Sequence, residues 1–247
     1  MAKLSVIIIT KNEAKNIRAC LESVAWADEI IVVDSGSADD TVAIAREFTP
    51  QVYTHDWPGF GAQKNRALDY ATNEWVFSID ADERITPELR AEMDAAMARP
   101  RAEAYEIPRS SSFCGRFMRH SGWYPDYVLR LFQRDKGRFS DALVHESVQI
   151  RGSVARLQQP LLHYSYRDFE DVLSKLNSYS SAASVMLLRQ GKKGGLAQAV
   201  LHGLWAFFRT FFLRAGFLDG REGFMLAVMN AENSYYRYIK LWLKQKP

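Results

Sequence analysis

Val76-Phe77-Ser78-Ile79-Asp80-Ala81-Asp82-Glu83 decides the fold, because a mostly apolar run leads directly into three carboxylates. Residues 75–79 are typical of a buried strand in a parallel sheet. Asp80 and Asp82 follow its carboxyl end, where open α/β sheets bind their ligands. Two carboxylates one residue apart can hold Mg²⁺, which takes one or two protein carboxylates plus water and phosphate oxygens. The simpler alternative is an acidic turn before a helix that starts at Thr86-Pro87.

The chain before this stretch alternates between short apolar segments and amphipathic ones. Strands are predicted over residues 4–9, 29–33, 51–54 and 75–80. Helices are predicted over residues 13–24, with Asn12 as N-cap, over 39–48, and after Gly59. This order with short connections predicts an α/β fold with a right-handed, mostly parallel sheet flanked by helices.

Polar clusters follow the predicted strands of this half. They are Thr10/Asn12/Glu13, Asp34/Ser35/Ser37, Lys64/Arg66 and Asp80/Asp82. Parallel strands bring their carboxyl ends to one edge, so we expect the clusters to converge there. Singly, each cluster is equally well explained as a turn, a helix cap or a solvated face. Together they suit a nucleotide diphosphate with a metal, although the usual glycine-rich dinucleotide and P-loop motifs are absent from the sequence.

The second half has a different pattern. Strands are predicted over residues 104–108, 127–133, 143–150 and 161–164, and helices from residue 168 to the end. Residues 110–125 form a long aromatic and basic loop, a type that is often functional.

The 247 residues are enough for one α/β domain with an appendage. Cys20 and Cys114 belong to no Cys/His cluster, which argues against a zinc site or a disulfide framework. The first apolar run is too short for a signal peptide or a membrane span, so we expect a cytoplasmic protein.

The basic residues concentrate near the C-terminus. From Met186 onward, ten Lys and Arg residues face three Asp and Glu residues, a net charge of +7 against −4 for the rest. This asymmetry indicates an anionic partner, either membrane or nucleic acid. Residues 195–218 are apolar but interrupted by Gln198, His202, Arg209 and Arg214. This pattern predicts an amphipathic helix in the membrane interface rather than a spanning one, with packing on protein as the alternative.

Several stretches carry a family resemblance. Residues 5–13, 31–41 and 80–82 resemble the nucleotide-binding half of family 2 glycosyltransferases with the GT-A fold. Residues 122–125, 129–132, 144–148 and 216–220 resemble the branch that adds a β-linked hexose, usually glucose, to a heptose of the lipopolysaccharide core. The resemblance implies a GT-A catalytic domain over 1–166, with a nucleotide-sugar half (1–100) and an acceptor half (101–166), and a helical extension over 167–247.

The resemblance also implies roles for individual residues in binding a UDP-sugar. The implied nucleotide-sugar residues are Thr10, Asn12, Glu13, Asp34, Ser35, Lys64, Arg66 and Asp80. Among them, Asp34 is expected to contact uracil or ribose, and Asp80 to lie near the ribose. Asp82 is expected to bind the divalent metal, Mg²⁺ or Mn²⁺, that carries the diphosphate. His163 is either a second metal ligand or a neutral core histidine.

Family members invert the anomeric carbon in a single displacement, which needs a base for the acceptor hydroxyl. Glu146 is the candidate and Asp141 the runner-up, while a surface salt bridge is the simpler explanation of Glu146. Arg130 is expected to reach a phosphate or an acidic group of the acceptor. Trp123 is expected to stack on a sugar, although core packing is the commoner fate of a lone Trp.

The sequence therefore predicts a metal-dependent inverting glycosyltransferase, peripheral on the cytoplasmic side of the inner membrane. Its predicted acceptor is a lipid-anchored saccharide, the heptose region of a lipopolysaccharide core. The alternatives are transfer to another lipid carrier such as polyprenyl phosphate, or a noncatalytic binding protein on a GT-A scaffold. A nucleic-acid partner is not expected, because the C-terminal aromatics have helical spacing instead of forming a stacking platform on a sheet.

Overall fold

The computed structural model describes residues 2–140 and 147–246, and these form two compact units. The first unit contains the chain up to Arg109 together with Asp126–His163. The second contains Ser110–Pro125 and the chain from Tyr164 onward. This division differs from the predicted boundary at residue 166, because the loop assigned to the acceptor half groups with the C-terminal helices.

The elements follow one another with short connections. In chain order the strands are β1 (Leu4–Thr10), β2 (Glu29–Asp34), β3 (Val52–Thr54), β4 (Trp75–Asp80), β5 (Glu83–Arg84), β6 (Ala104–Phe113), β7 (Arg116–Phe117), β8 (Asp126–Gln133), β9 (Gly137–Phe139), β10 (Val148–Ile150), β11 (Val154–Arg156) and β12 (Leu161–Tyr166). The α-helices are α1 (Ile17–Val24), α2 (Thr41–Arg46), α3 (Phe60–Tyr70), α4 (Pro87–Ala98), α5 (Phe169–Arg189), α6 (Leu196–Phe208) and α7 (Gly220–Lys244).

The main sheet has the order β3-β2-β1-β4-β8-β6-β12-β5. Strands β1 to β4 are parallel, and β8 joins β4 antiparallel. The predicted α/β fold with a central sheet flanked by helices is confirmed. The sheet is parallel over β1 to β4 and mixed beyond them, since β8 also pairs antiparallel with β6, and β12 with β5. The register pairs Thr10 with Asp34 and Ile9 with Asp80, so the strand ends that carry polar residues lie at one edge.

Both faces of this sheet are covered, which explains why the strands are continuous apolar runs. On one face, Ile8 and Phe77 belong to a core that includes Leu21 of α1 and Leu89 of α4. On the other face, Val33 and its neighbours pack against the apolar side of α3.

Two local predictions are corrected by the structure, and a third lies partly outside the described residues. Helix α1 begins at Ile17 with Asn16 as N-cap, so Asn12 is not its cap. Asn12 instead has φ 57° and accepts a hydrogen bond from the Ala38 N–H (2.8 Å), which ties the loops after β1 and β2 together. The long loop is shorter than predicted, because β6 continues to Phe113 and pairs with β7. Of the strand predicted over 143–150, the part before residue 147 lies outside the described residues.

The second unit is held together by a buried carboxylate. Asp219 is 1% exposed and accepts hydrogen bonds from the Arg119 N–H (3.1 Å), the His120 N–H (2.9 Å) and the Ser121 hydroxyl (3.1 Å). A methyl group on Gly223 would lie 1.9 Å from the Gly216 carbonyl oxygen. The close approach of the chain requires glycine at both positions, and Asp219 holds the 119–121 loop against this turn.

One stretch of the described chain, Leu196–Leu213, is long and apolar enough to cross a membrane. It has 18 residues and a mean hydropathy of 1.3, and 22% of it is buried. Length and composition alone are a weak criterion, which core helices of soluble proteins also meet.

Candidate functional site

The first polar cluster is built around Asp34, whose side chain is fully buried at the end of β2. Its carboxylate accepts hydrogen bonds from the Thr10 hydroxyl (3.0 Å) and from the N–H groups of Gly36 and Ser37 (both 2.8 Å). The Ser35 N–H donates to the Thr10 carbonyl (2.9 Å). Thr10, Asp34 and Ser35 thus come together as predicted from the sheet. The Asp34 carboxylate shapes the turn here, and its contact with a base or ribose stays a prediction.

Other hydrogen bonds connect the loops that surround this cluster. The Glu13 N–H donates to the Thr41 hydroxyl (2.7 Å), and the Asn12 N–H donates to the Ser37 hydroxyl (2.8 Å). From α3, the Gln63 amide donates to the Ser35 hydroxyl (3.0 Å). The loops after β1 and β2 are therefore fixed to each other and to α3.

The second cluster is a network of charges around Asp80. One carboxylate oxygen of Asp80 lies 3.2 Å from the Lys64 ammonium, and the other accepts a hydrogen bond from the Arg130 guanidinium. The same guanidinium nitrogen donates to Glu83 (2.7 Å), which is fully buried. Glu83 also accepts from the Asp80 N–H (3.0 Å). Of these four side chains, only that of Asp80 reaches solvent appreciably, with 33% of it exposed.

The charges of this network hold one another in the ionised state. Burial alone would raise the pKa of Asp80, but the positive charges of Arg130 and Lys64 outweigh it and hold the pKa well below its usual range. Burial likewise opposes the charge of Arg130, yet the Asp80 and Glu83 carboxylates raise its pKa above the ordinary value. Since Asp80 is already neutralised by two cations, Asp82 is the carboxylate of the pair that suits a metal ion.

Asp82 lies beside His163, because β5 and β12 pair with His163 opposite Glu83. The His163 Nε2 is 3.3 Å from an Asp82 carboxylate oxygen, and both side chains are partly exposed. Two neighbouring ligands of an octahedral Mg²⁺ are about 3 Å apart, so this oxygen and nitrogen fit the coordination of one divalent ion. The described residues contain no cluster of three or more His, Cys, Asp or Glu residues able to hold a metal. An ion at Asp82 would therefore need phosphate oxygens and water to complete its shell.

Two predicted residues lie in other surroundings. The Arg66 guanidinium is 2.8 Å from the Asp56 carboxylate and donates to the Asp56 carbonyl (2.9 Å), so it braces the loop before α3 instead of joining Lys64. Trp123 is in the second unit, where it stacks on Tyr166 (5.8 Å between ring centroids) and meets Phe113 edge-on.

The remaining predictions concern the acceptor. The Arg130 guanidinium points into the carboxylate network, and its contact with the acceptor stays a prediction. Asp141 and Glu146 lie outside the described residues, so the assignment of the base also stays a prediction.

Sequence reasoning missed two members of the network, Glu83 and Arg109. The Arg109 guanidinium lies 3.7 Å from Glu83 and forms a 2.6 Å ion pair with Asp126. Glu83 was visible as the third carboxylate of the acidic cluster. The Arg109–Asp126 pair depends on the register of β6 and β8, which sequence periodicity does not provide.

Arg130→Met should lower the free energy of unfolding by about 3–5 kcal/mol at pH 7, because it leaves buried carboxylates without their cation. The stability that Asp80 contributes exists above its unfolded pKa of about 3.9 and is lost as the pH falls through its lower folded value. The difference in the free energy of unfolding between the wild type and Arg130→Met should therefore become smaller below about pH 4. Urea unfolding at pH 7, 5 and 3.5 measures it.

Arg138→Met is the matched control, because it breaks an exposed pair with Asp69 that should contribute at most about 1 kcal/mol. A deficit for Arg130→Met that does not change with pH would contradict the role of Asp80.

Comparison with known proteins identifies relatives along nearly the whole chain. The profile described as "Glycosyl transferase family 2" matches residues 5–157. An "Uncharacterized glycosyltransferase" of Rickettsia felis is 34% identical, over 98% of this chain and 90% of its own length. The "Lipopolysaccharide core biosynthesis glycosyltransferase LpsC" of Rhizobium meliloti is 29% identical, over 99% of this chain and 95% of its own length.

Among solved structures, S. aureus TarS 1-349 in complex with UDP-GlcNAc is similar in fold. It has a TM-score of 0.51 and 17% identity, with 98% of this chain and 92% of that chain covered. At this identity the likeness concerns the fold, a central curled sheet flanked by helices.

Proposed function

Because the chain belongs to glycosyl transferase family 2, with the GT-A fold, we propose that it transfers a hexose from a UDP-sugar to the heptose region of a lipopolysaccharide core. The observation that carries the proposal is the pairing of Asp82 with His163 beside a neutralised Asp80, at the ligand-binding edge of the sheet. The name of the LpsC relative supports the acceptor, and the UDP-GlcNAc bound to TarS supports the donor.

In this proposal each charge at the sheet edge has a role in binding the donor. Asp80 is held ionised and fixed by Arg130 and Lys64, so its exposed part accepts a hydrogen bond from a ribose hydroxyl. Asp82 and His163 hold Mg²⁺ or Mn²⁺, which when bound stabilises the negative charge on the departing diphosphate. Lys64, on the buried side of Asp80, keeps positive charge near that diphosphate.

We assign the base to Glu146, with Asp141 as runner-up. Its carboxylate takes the proton of the acceptor hydroxyl as the new bond to the anomeric carbon forms. The bond from that carbon to the diphosphate breaks, and its electron pair leaves with the diphosphate. The attack comes from the opposite side, so the configuration inverts.

The surroundings of the 141–146 segment support this assignment. The segment lies between β9 and β10, which are antiparallel, and the Ser140 N–H donates to the Ser147 carbonyl (3.0 Å). Strand β9 is fixed to α3, because the Asn65 amide donates to the Phe139 carbonyl and accepts from the Phe139 N–H (both 2.9 Å). The Lys64 ammonium, which pairs with Asp80, also lies 5.8 Å from the centroid of the Phe139 ring, so the end of β9 lies next to the charged network.

A lipid-anchored acceptor fits the surface of the second unit. Large apolar side chains with 42–66% exposure follow one another along it: Leu196, Val200, Leu201, Leu204, Trp205, Phe208, Phe212, Leu213, Phe217, Leu218 and Phe224. Contiguous exposed apolar surface of this kind marks a site of protein or membrane interaction. We propose that it lies in the interface of an anionic cytoplasmic leaflet, since the basic residues of the C-terminal quarter favour such a surface.

Asp82→Asn should abolish the metal-dependent part of UDP binding, because it removes the carboxylate ligand of the metal. Calorimetric titration of UDP with Mn²⁺ and with EDTA measures this. The wild-type protein should bind UDP with Mn²⁺ and lose most of that affinity in EDTA.

Asp94→Asn is the matched control, since Asp94 is an exposed carboxylate on α4 that forms only a surface pair with Arg90. Equal UDP binding by the wild type with Mn²⁺ and with EDTA would refute the metal assignment. Absence of UDP binding under both conditions would favour a noncatalytic protein.

Glu146→Gln should keep UDP-sugar binding and lower the rate of transfer by about 10²–10⁴-fold, because an amide cannot take the proton. Transfer of radiolabelled hexose to purified core acceptor measures this, with donor binding measured in parallel. Asp141→Asn tests the runner-up, and Glu106→Gln, a surface carboxylate paired with Arg156, is the control. Full activity of Glu146→Gln would disprove the base assignment.

The double substitution of Phe208 and Phe212 by Glu should abolish flotation with anionic vesicles, because it places charge in the apolar surface. Val154→Glu, at an exposed position of the first unit, should float like the wild type. UDP binding should be the same in all three proteins. Wild-type protein that stays at the bottom of the gradient would contradict the membrane proposal, and release by alkaline carbonate would separate peripheral association from a spanning helix.

A further inference from the structure

Trp57 and Phe60 are exposed aromatic side chains in the loop between β3 and α3. They are 42% and 45% exposed, and their ring centroids lie 4.7 Å apart at 89°. Other aromatic side chains of the first unit, Trp75 and Phe77, are fully buried in its core. Because the pair contributes little to the core, we infer that its exposed surface binds a ligand.

Hydrogen bonds attach this loop to the end of β2 on both sides of the pair. Before it, the His55 N–H donates to the Asp34 carbonyl (2.9 Å). After it, the Gln63 N–H donates to the Gly59 carbonyl (3.0 Å), and the Gln63 amide donates to the Ser35 hydroxyl (3.0 Å). The aromatic pair therefore stands at the rim of the Asp34–Ser35 cluster.

The backbone between the two rings is also constrained. Gly59 has φ +117°, a conformation that other residues rarely adopt, and the Asp56 carbonyl accepts a hydrogen bond from Arg66 of α3. The loop is thus fixed by its own residue types and by α3, so the rings are held in place before a ligand arrives.

The polar groups beside the pair leave part of a nucleotide unrecognised. Asp34 is predicted to contact the base or the ribose, but a carboxylate can bind only the polar edge of a ring and not its face. The metal pair and Lys64 address the diphosphate. A flat heterocyclic base needs an apolar surface to cover its face, and stacking on an aromatic side chain provides that surface for any base.

We propose that Trp57, supported edge-on by Phe60, forms the wall on which the base of the donor nucleotide stacks. The proposal rests on the proposed function, because it takes the donor to be a nucleoside diphosphate sugar. It adds two residues that determine donor affinity and to which neither the sequence patterns nor the relatives assign a role.

The test compares UDP with inorganic pyrophosphate, which has the metal-binding part of UDP without its base. Both are titrated calorimetrically in Mn²⁺ into the wild type, Trp57→Ala, Trp57→Phe and Phe60→Ala. Trp57→Ala should weaken UDP binding by about 10-fold or more and leave pyrophosphate binding within about 2-fold. Trp57→Phe should retain most of the affinity, and Phe60→Ala should lose less than Trp57→Ala. Phe169→Ala, at an exposed aromatic residue of the second unit, is the control and should bind both ligands like the wild type.

The outcomes separate this proposal from the proposed function. Unchanged UDP binding by Trp57→Ala overturns the stacking proposal and leaves the UDP-sugar donor in place. Equal weakening of UDP and pyrophosphate also overturns it, since the substitution would then act through the loop. A wild-type protein that binds pyrophosphate but not UDP overturns the stacking proposal and the donor assignment together.

Discussion

The buried guanidinium of Arg130 is the interaction on which the candidate site depends. Strand β4 brings a carboxylate, Asp80, to the end of an apolar core, and Glu83 places a second one in the interior. Two like charges in such surroundings are stable only with a cation between them, and Arg130 supplies it from the neighbouring antiparallel strand. The antiparallel pairing of β4 with β8 therefore extends the sheet and also brings Arg130 to Asp80 in the candidate site.

The second unit also contains a buried carboxylate, Asp219, but stabilises its charge differently. Asp219 is as buried as Glu83, but its charge is met by two backbone N–H groups, a hydroxyl and the partly exposed His120 ring, whose Nδ1 lies 3.2 Å away, instead of by a buried guanidinium. Backbone N–H donors belong to the main chain itself, so a carboxylate that binds two of them fixes the path of that loop. In the first unit a carboxylate orders a binding site, whereas in the second it orders the loop 119–121 and the turn into α7.

Periodicity and composition predicted the parallel strands of the sheet and the edge that carries the polar residues. These features were predictable because β1, β2 and β4 are buried on both faces, and such strands are continuous apolar runs in the sequence. Contacts that depend on strand register, such as Arg109 with Asp126, or on helix rotation, such as Arg66 with Asp56, leave no comparable trace. Asn12 was assigned to the wrong role because a capping residue and a residue with positive φ have the same side-chain chemistry.

Helix α3 has four consecutive polar residues with four different contacts. Gln63 bonds to Ser35, Lys64 pairs with Asp80, Asn65 holds Phe139 and Arg66 holds Asp56. Successive helical side chains diverge by about 100°, so these contacts surround the helix instead of sharing one side. A helix held on every side has no direction in which it can roll or slide without breaking a polar contact. The end of β2, the end of β9 and the loop before α3 therefore all take their positions from this one helix.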